Sequence, residues 1–399
     1  MKILQINSVY GTGSTGKIVY DLYTRTREDG HQAAVCYGRG PVVKGENILK
    51  FGLDWETYLH AGLTRLTGLT GCWSFFSTRR LLQFMDIFHP DVIHLHEPHA
   101  YFVNLSPLFR YIKDKDIPLV YTFHCEFAYT GKCGYAYECE RWKSGCGHCP
   151  DVRCYPSSLF FDFTAYMFQQ KRELLSGLSR LVITTPSQWL SERAKQSFLK
   201  GRDIRVVHNG IDTGGVFHPW DSRDLRKRHG LAAGEKVVLA VAPDLMSARK
   251  GGQWVAKLAE MMTDVRFILI GVEDLSETFP PNVTALGRTE NQEELAAYYS
   301  LVDCFVICSK KETFSLTCAE SLCCGTPIAG FCAGAPETIF PSPMAEFVHY
   351  GDLNTLEQAV RTQLERCWER DAIAQEAAKM FSSRRMYEDY KKMYQEIVK

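Results

Sequence analysis

Seven residues separate Glu312 and Glu320 in Glu312-Thr313-Phe314-Ser315-Leu316-Thr317-Cys318-Ala319-Glu320. The apolar run Cys304–Cys308 just before them reads as a strand. Leu316, Ala319, Leu322 and Cys323 form a helical stripe, which Gly325 and Pro327 end. One carboxylate therefore sits in the loop before a helix, and the other about one turn inside it. Free backbone N–H groups near 313–316 suit phosphate oxygens. An ionised carboxylate accepts the paired hydrogen bonds of vicinal sugar hydroxyls. The plain alternative is a solvated helix face, which the position at a strand's C-terminal end weakens.

Other residues could do chemistry. Gly11, Gly13 and Gly16 match G-x-G-x-x-G between a strand and a helix. A dinucleotide site would want an acid about 20 positions on, but Tyr37-Gly38-Arg39-Gly40 ends the second strand. A glycine loop close to substrate, or a tight turn for packing, is left. His94, His96, His99 and His124 gather at strand ends, a pattern open to metal binding. His94 and His96 share one strand face and read either as pocket walls or as hydrogen-bonded core histidines. Cys133-x5-Cys139-x6-Cys146-x2-Cys149 offers four thiolates to a structural zinc, with His148 and Cys154 nearby. That spacing leaves free or redox-active thiols and disulfides open as well.

These residues need a frame. Short apolar runs at 1–9, 33–37, 91–96, 117–124, 181–185 and 204–207 alternate with helical patterns. This is the signature of a parallel sheet with helices on both faces. His208-Asn209-Gly210-Ile211-Asp212 is a turn, and the alternation restarts at Val237. The fold class is α/β, with two doubly wound domains: 1–210, carrying a Cys-rich insert at 125–156, then 211–382. A last helix over 383–399 shows Met386, Tyr390, Tyr394 and Ile397 on one face. Ligands of open parallel sheets bind at the C-terminal strand ends, so a cleft between the domains is expected.

Composition narrows the function. Lys+Arg and Asp+Glu are 46 each, which argues against a bulk nucleic-acid binder. At 45% hydrophobic and 23% charged residues, the chain can bury real cores. The odd total of 15 Cys fits a reducing compartment. With no leader-like or membrane-spanning stretch, a cytoplasmic protein is expected. Tyr58, Leu59, Leu63, Leu66, Leu69, Trp73, Phe75 and Phe76 interleave with Arg65, Arg79 and Arg80. They read as an amphipathic membrane patch at the inner membrane face, or as ordinary core helices.

Glu312 to Pro327 resembles the E-x7-E signature of retaining family-4 glycosyltransferases with the two-Rossmann GT-B fold. Gly334-Ala335-Pro336-Glu337, Thr185-Pro186-Ser187, His208–Asp212 and Gly287-Arg288 are similar to further landmarks of that family. The likeness covers nearly the whole chain and is nearest to the bacterial exopolysaccharide and colanic-acid branch. It implies two Rossmann-like domains facing a cleft, with the last helix packing back toward the first. It also implies a nucleotide-diphosphate sugar as donor, a saccharide or lipid-linked acceptor, and no catalytic cofactor. Glu320 would bind the ribose, and Glu312 the donor sugar beside the backbone of Phe314, Ser315 and Leu316. Lys250 would hold the diphosphate and His124 would lie near the transferred sugar. Many members carry an Arg after the second domain's first strand. Ala242-Pro243 stands there instead, leaving Arg249 or the loop of Gly13 and Gly16 to complete the phosphate clamp. A similar Cys-rich insert in that branch points to a structural role for the cysteines. A nicotinamide-dependent oxidoreductase and a non-catalytic sugar-nucleotide binder are the rival readings.

Overall fold

A computed structural model describes residues 1–399. The chain divides into two units, Met1–His208 with Met386–Lys399, and Asn209–Arg385. In the first unit, seven strands form one sheet: Lys2–Asn7 (β1), Gln32–Tyr37 (β2), Ile48–Lys50 (β3), Val92–Leu95 (β4), Leu119–Thr122 (β5), Leu181–Thr185 (β6) and Ile204–Val206 (β7). Their spatial order is β3-β2-β1-β4-β5-β6-β7, and every pairing is parallel. The inner strands are apolar along their length because helices cover both faces. Chain order reverses between β1 and β4, the position at which open parallel sheets in general bind ligands.

The second unit repeats the plan with six strands: Val237–Val241 (β8), Arg266–Ile270 (β9), Val283–Leu286 (β10), Cys304–Ile307 (β11), Ile328–Phe331 (β12) and Ala345–Val348 (β13). Their order is β10-β9-β8-β11-β12-β13, again all parallel. Here the order reverses between β8 and β11. The loops after these two strands carry Lys250 and Glu312.

Two strands escape the sequence reading, β3 and β13. Both are outer strands and only partly buried, so neither carries a long apolar run. The final helix, Ser383–Val398, runs from one unit into the other's fold. Its Met386, Tyr387, Tyr390, Met393 and Tyr394 are buried in the first unit against Ile3, Ile18, Leu22, Val92, Val120 and Val182. That face contains three of the four residues expected to lie together; the fourth, Ile397, is partly buried against the same cluster.

The helices Asp54–Thr67 and Phe75–Phe88 carry the aromatic segment. Glu56 is buried and accepts from the N–H groups of Phe76 (2.9 Å) and Ser77 (2.8 Å), which caps the second helix with a carboxylate. Trp55, Tyr58, Leu59, Leu66, Phe75 and Phe76 are exposed. No helix of the chain is long and apolar enough to cross a membrane.

Candidate active site

In the second unit, Glu312 and Lys250 meet. Lys250 Nζ donates to Glu312 Oε1 at 2.6 Å, and Arg249 Nη1 lies 3.9 Å from the same oxygen. Burial pushes the Glu312 carboxyl up, but Lys250, Arg249 and Ser309 together outweigh it and hold it below its ordinary value. The backbone aims both partners. Gly251 has φ +76°, and a Cβ there would lie 2.2 Å from the carbonyl oxygen of Cys308. Only glycine lets the Lys250 loop lie so close to the end of β11. On the other side, Glu312 N donates to Ala333 O at 2.9 Å, and Ala335 N to Glu312 O at 3.2 Å. Glu337 closes the Gly334-Ala335-Pro336-Glu337 loop by accepting from the N–H groups of Ala333 (3.0 Å) and Gly334 (2.9 Å).

Phe314 is buried against the rings of Phe340 and Phe381. Ser315 follows with φ +82°, unusual for a residue with a side chain, and caps the helix Leu316–Cys323. Backbone strain of this kind concentrates at binding sites. Glu320 lies inside the helix, buried, with Oε2 accepting from Tyr299 Oη at 3.1 Å. The structure thus brings Lys250, Arg249 and Glu312 into contact, and places Phe314, Ser315, Leu316 and Glu320 on the segment that follows. Ser309 is a participant that sequence reasoning did not single out.

In the first unit, Gly13 opens the helix Gly13–Glu28 with φ +65°. A Cβ on Gly16 would meet Val9 Cγ2 at 3.0 Å, and Gly11 N donates to Gly16 O at 2.9 Å. The loop is therefore a tight turn whose helix start has no side-chain cap and no acid in its first turn.

The histidines separate by role. His94 is fully buried, with Nδ1 2.6 Å from Tyr394 Oη and Nε2 2.6 Å from Thr122 Oγ1. It is a hydrogen-bonded core histidine. His124 and His96 line a small recess with Glu97, His99, Cys125 and Phe127. Burial holds the His124 imidazole down to about 3 and pushes the Glu97 carboxyl up to about 7. Metal-type donor atoms of Glu97, His99 and Cys125 lie within 4.8 Å of one another. Neither Glu97 nor Cys125 stood out in the sequence, because each falls beside a histidine in an otherwise apolar strand end.

All of the cysteines carry free thiols. Burial, and then the thiols of Cys149, Cys154 and Cys146, push Cys133 up to about 12 against the opposing charge of Lys132. Cys146 is raised mainly by burial, with Cys139 and Cys149 adding to it. These thiols feel one another's charge within the insert, whereas the donor atoms found within 4.8 Å of one another are those of Glu97, His99 and Cys125. Trp142 anchors their loop, buried, with Nε1 donating to Cys139 O at 2.7 Å and the Arg193 guanidinium 4.7 Å above its ring. Arg193 also pairs with the fully buried Glu126 at 2.6 Å.

Comparison with known proteins agrees with this architecture. Residues 15–214 match the profile of Glycosyltransferase Family 4, and residues 235–366 that of Glycosyl transferases group 1. The colanic acid biosynthesis glycosyl transferase WcaC of Escherichia coli (strain K12) is 24% identical over 416 residues, covering 100% of both chains. N-acetyl-alpha-D-glucosaminyl L-malate synthase of Bacillus anthracis is 24% identical over 55% of this chain and 60% of its own. Among solved structures, sucrose-phosphate synthase from Thermosynechococcus elongatus has a TM-score of 0.72 at 15% identity, covering 100% of this chain and 99% of its own. Anabaena Alr3699/HepE in complex with UDP-glucose has a TM-score of 0.68 at 14% identity, covering 99% of this chain and 100% of its own.

Proposed function

The chain belongs to glycosyltransferase family 4, and on that footing we propose that it moves a sugar from a nucleotide-diphosphate donor to a saccharide acceptor, with retention of configuration, in bacterial surface or exopolysaccharide assembly. The Lys250–Glu312 pair, its carboxylate buried, carries this reading. Without ligand the two charges neutralise each other. A bound diphosphate supplies new negative charge for Lys250 and Arg249, and Glu312 is then left to accept hydroxyls of the donor sugar. Glu320 takes the ribose hydroxyls, and backbone amides of Phe314 to Leu316 meet the phosphate. During transfer the bond from the anomeric carbon to the phosphate oxygen breaks, and a bond to the acceptor oxygen forms on the same face. The acceptor's proton passes to the departing phosphate, whose charge Lys250 stabilises. In this reading the loop of Gly13 and Gly16 and His124 belong to the sugar and acceptor side.

A thermal-shift screen of UDP, GDP and TDP tests the donor site. UDP comes first, because HepE is described with UDP-glucose. One nucleotide should stabilise the wild-type chain, and Glu320→Ala should weaken that binding by about a hundredfold. No shift with any of the three would overturn the reading.

The exposed rings of Trp55, Tyr58, Phe75 and Phe76, near Arg65, Arg79 and Arg80, fit contact with the anionic membrane surface that bears a lipid-linked acceptor. Pelleting with vesicles containing anionic lipid is the expected result, and none would remove that contact. Cys133, Cys139, Cys146 and Cys149 would hold one structural zinc, contributing to the stability of the insert and taking no part in transfer. Metal analysis of the purified chain should return one zinc per molecule.

A further inference from the structure

We infer that Gln5 is a positioning residue: through His96 it fixes which nitrogen of His124 carries the proton. Gln5 is the one polar side chain between Ile3 and Ile6 of β1, and it is fully buried. Its Nε2 donates to Tyr394 Oη at 3.3 Å, and its Oε1 lies 2.8 Å from His96 Nε2. An amide oxygen only accepts, so His96 Nε2 must carry hydrogen. Burial keeps His96 neutral, which leaves its Nδ1 as a lone-pair nitrogen. That Nδ1 is 3.1 Å from His124 Nε2. His124 Nε2 must therefore be the donor, and His124 Nδ1 the acceptor.

The other end of the network runs in the same direction. Tyr394 Oη accepts from Gln5 and gives its own hydrogen to His94 Nδ1 at 2.6 Å. His94 Nε2–H then donates to Thr122 Oγ1 at 2.6 Å. Turning the Gln5 amide over would invert every one of these bonds and put hydrogen on His124 Nδ1 instead. One amide thus selects between two complete hydrogen-bond states.

The functional consequence rests on the glycosyl-transfer reading above. His124 lines the recess with Glu97 and His99. Any ligand group that meets its Nδ1 must donate a hydrogen bond. A sugar hydroxyl does so, whereas a carbonyl or an ionised phosphate oxygen does not. Gln5, remote in sequence, would thereby set a preference for hydroxyl at this position.

The test is two-bond ¹H–¹⁵N correlation spectroscopy of the histidine-labelled full chain, with His124 assigned by its loss in His124→Gln. The wild type should show His124 as a single Nε2–H tautomer. Gln5→Met, which removes the acceptor while keeping the bulk, should show both tautomers. Its kcat should fall about tenfold with nucleotide affinity unchanged. A wild-type Nδ1–H signal, or an unmixed Nε2–H signal in folded Gln5→Met, would overturn the inference. Should Gln5→Met fail to fold, the wild-type spectrum alone still decides. A mixed tautomer with unchanged kcat would sever the link to transfer. The spectrum needs no substrate, so failure to transfer any sugar would count against the enzyme reading and not against the tautomer.

Discussion

Lys250 and Glu312 hold each other in place, and the buried Glu312 carboxylate is costly without its partner. Removing one partner of a buried pair leaves the other uncompensated, a loss of about 3 kcal/mol. Lys250→Met should therefore destabilise the chain at neutral pH and abolish transfer. The pH dependence has a definite sign. In the wild type Glu312 is held below its ordinary value, so its contribution is present above the unfolded carboxylate pKa and fades as pH falls through the folded value. In Lys250→Met the strongest lowering partner is gone while burial stays, so the folded value rises and the penalty shrinks on acidification. Melting curves of the two proteins should diverge at pH 7 and converge below about pH 4. A constant gap across that range would show that the pair is not the origin of the loss. At this scale the sequence was partly legible. Glu312 and Glu320 were singled out by their place after an apolar strand run, whereas Lys250 entered only through the family resemblance. Gln5 was passed over because one polar residue in an apolar run looks like noise, although its solitude was the available signal. Glu97 and Cys125 lay outside any spacing rule, since they come together only when β4 and β5 pair.

The loop Ser247–Gly251 owes its path to one backbone conformation. Gly251 occupies left-handed space, and Cys308 leaves no room for a Cβ. Gly251→Ala should cost about 2 kcal/mol or more and should shift Lys250 away from Glu312. A lower denaturation midpoint together with weakened nucleotide binding is expected. A normal midpoint would show that the loop relaxes without penalty. Most inner strands and the helix Leu316–Cys323 could be read from apolar runs and punctuating glycines, because both faces of these sheets are covered. β3 and β13 could not, since β3 has only three residues and Glu346 interrupts the four of β13, so neither shows an apolar run. The insert around Trp142 was legible as cysteine-rich, but its buried Glu126–Arg193 pair joins residues 67 apart in sequence.

The whole molecule is built from two α/β units, and one of them is not continuous in sequence. The last helix covers apolar residues of β1, β4, β5 and β6 and places Tyr394 between Gln5 and His94. Deleting 386–399 should leave those residues exposed and prevent the first unit from folding. Loss of near-ultraviolet circular dichroism and aggregation on purification are the expected signs, and a monomeric truncated chain with native spectra would contradict this. The expectation of two similar halves came from the repeated alternation of strand and helix. The return of the chain to its first half followed from the family resemblance, while the helix's own residues showed only an apolar face without a partner. That return also sets a timetable. A ribosome adds about 5–20 residues per second, so the helix follows β7 by roughly ten to thirty-five seconds. Throughout that interval the first sheet is made but uncovered, and a nascent chain must be shielded by something other than itself until its final turn emerges.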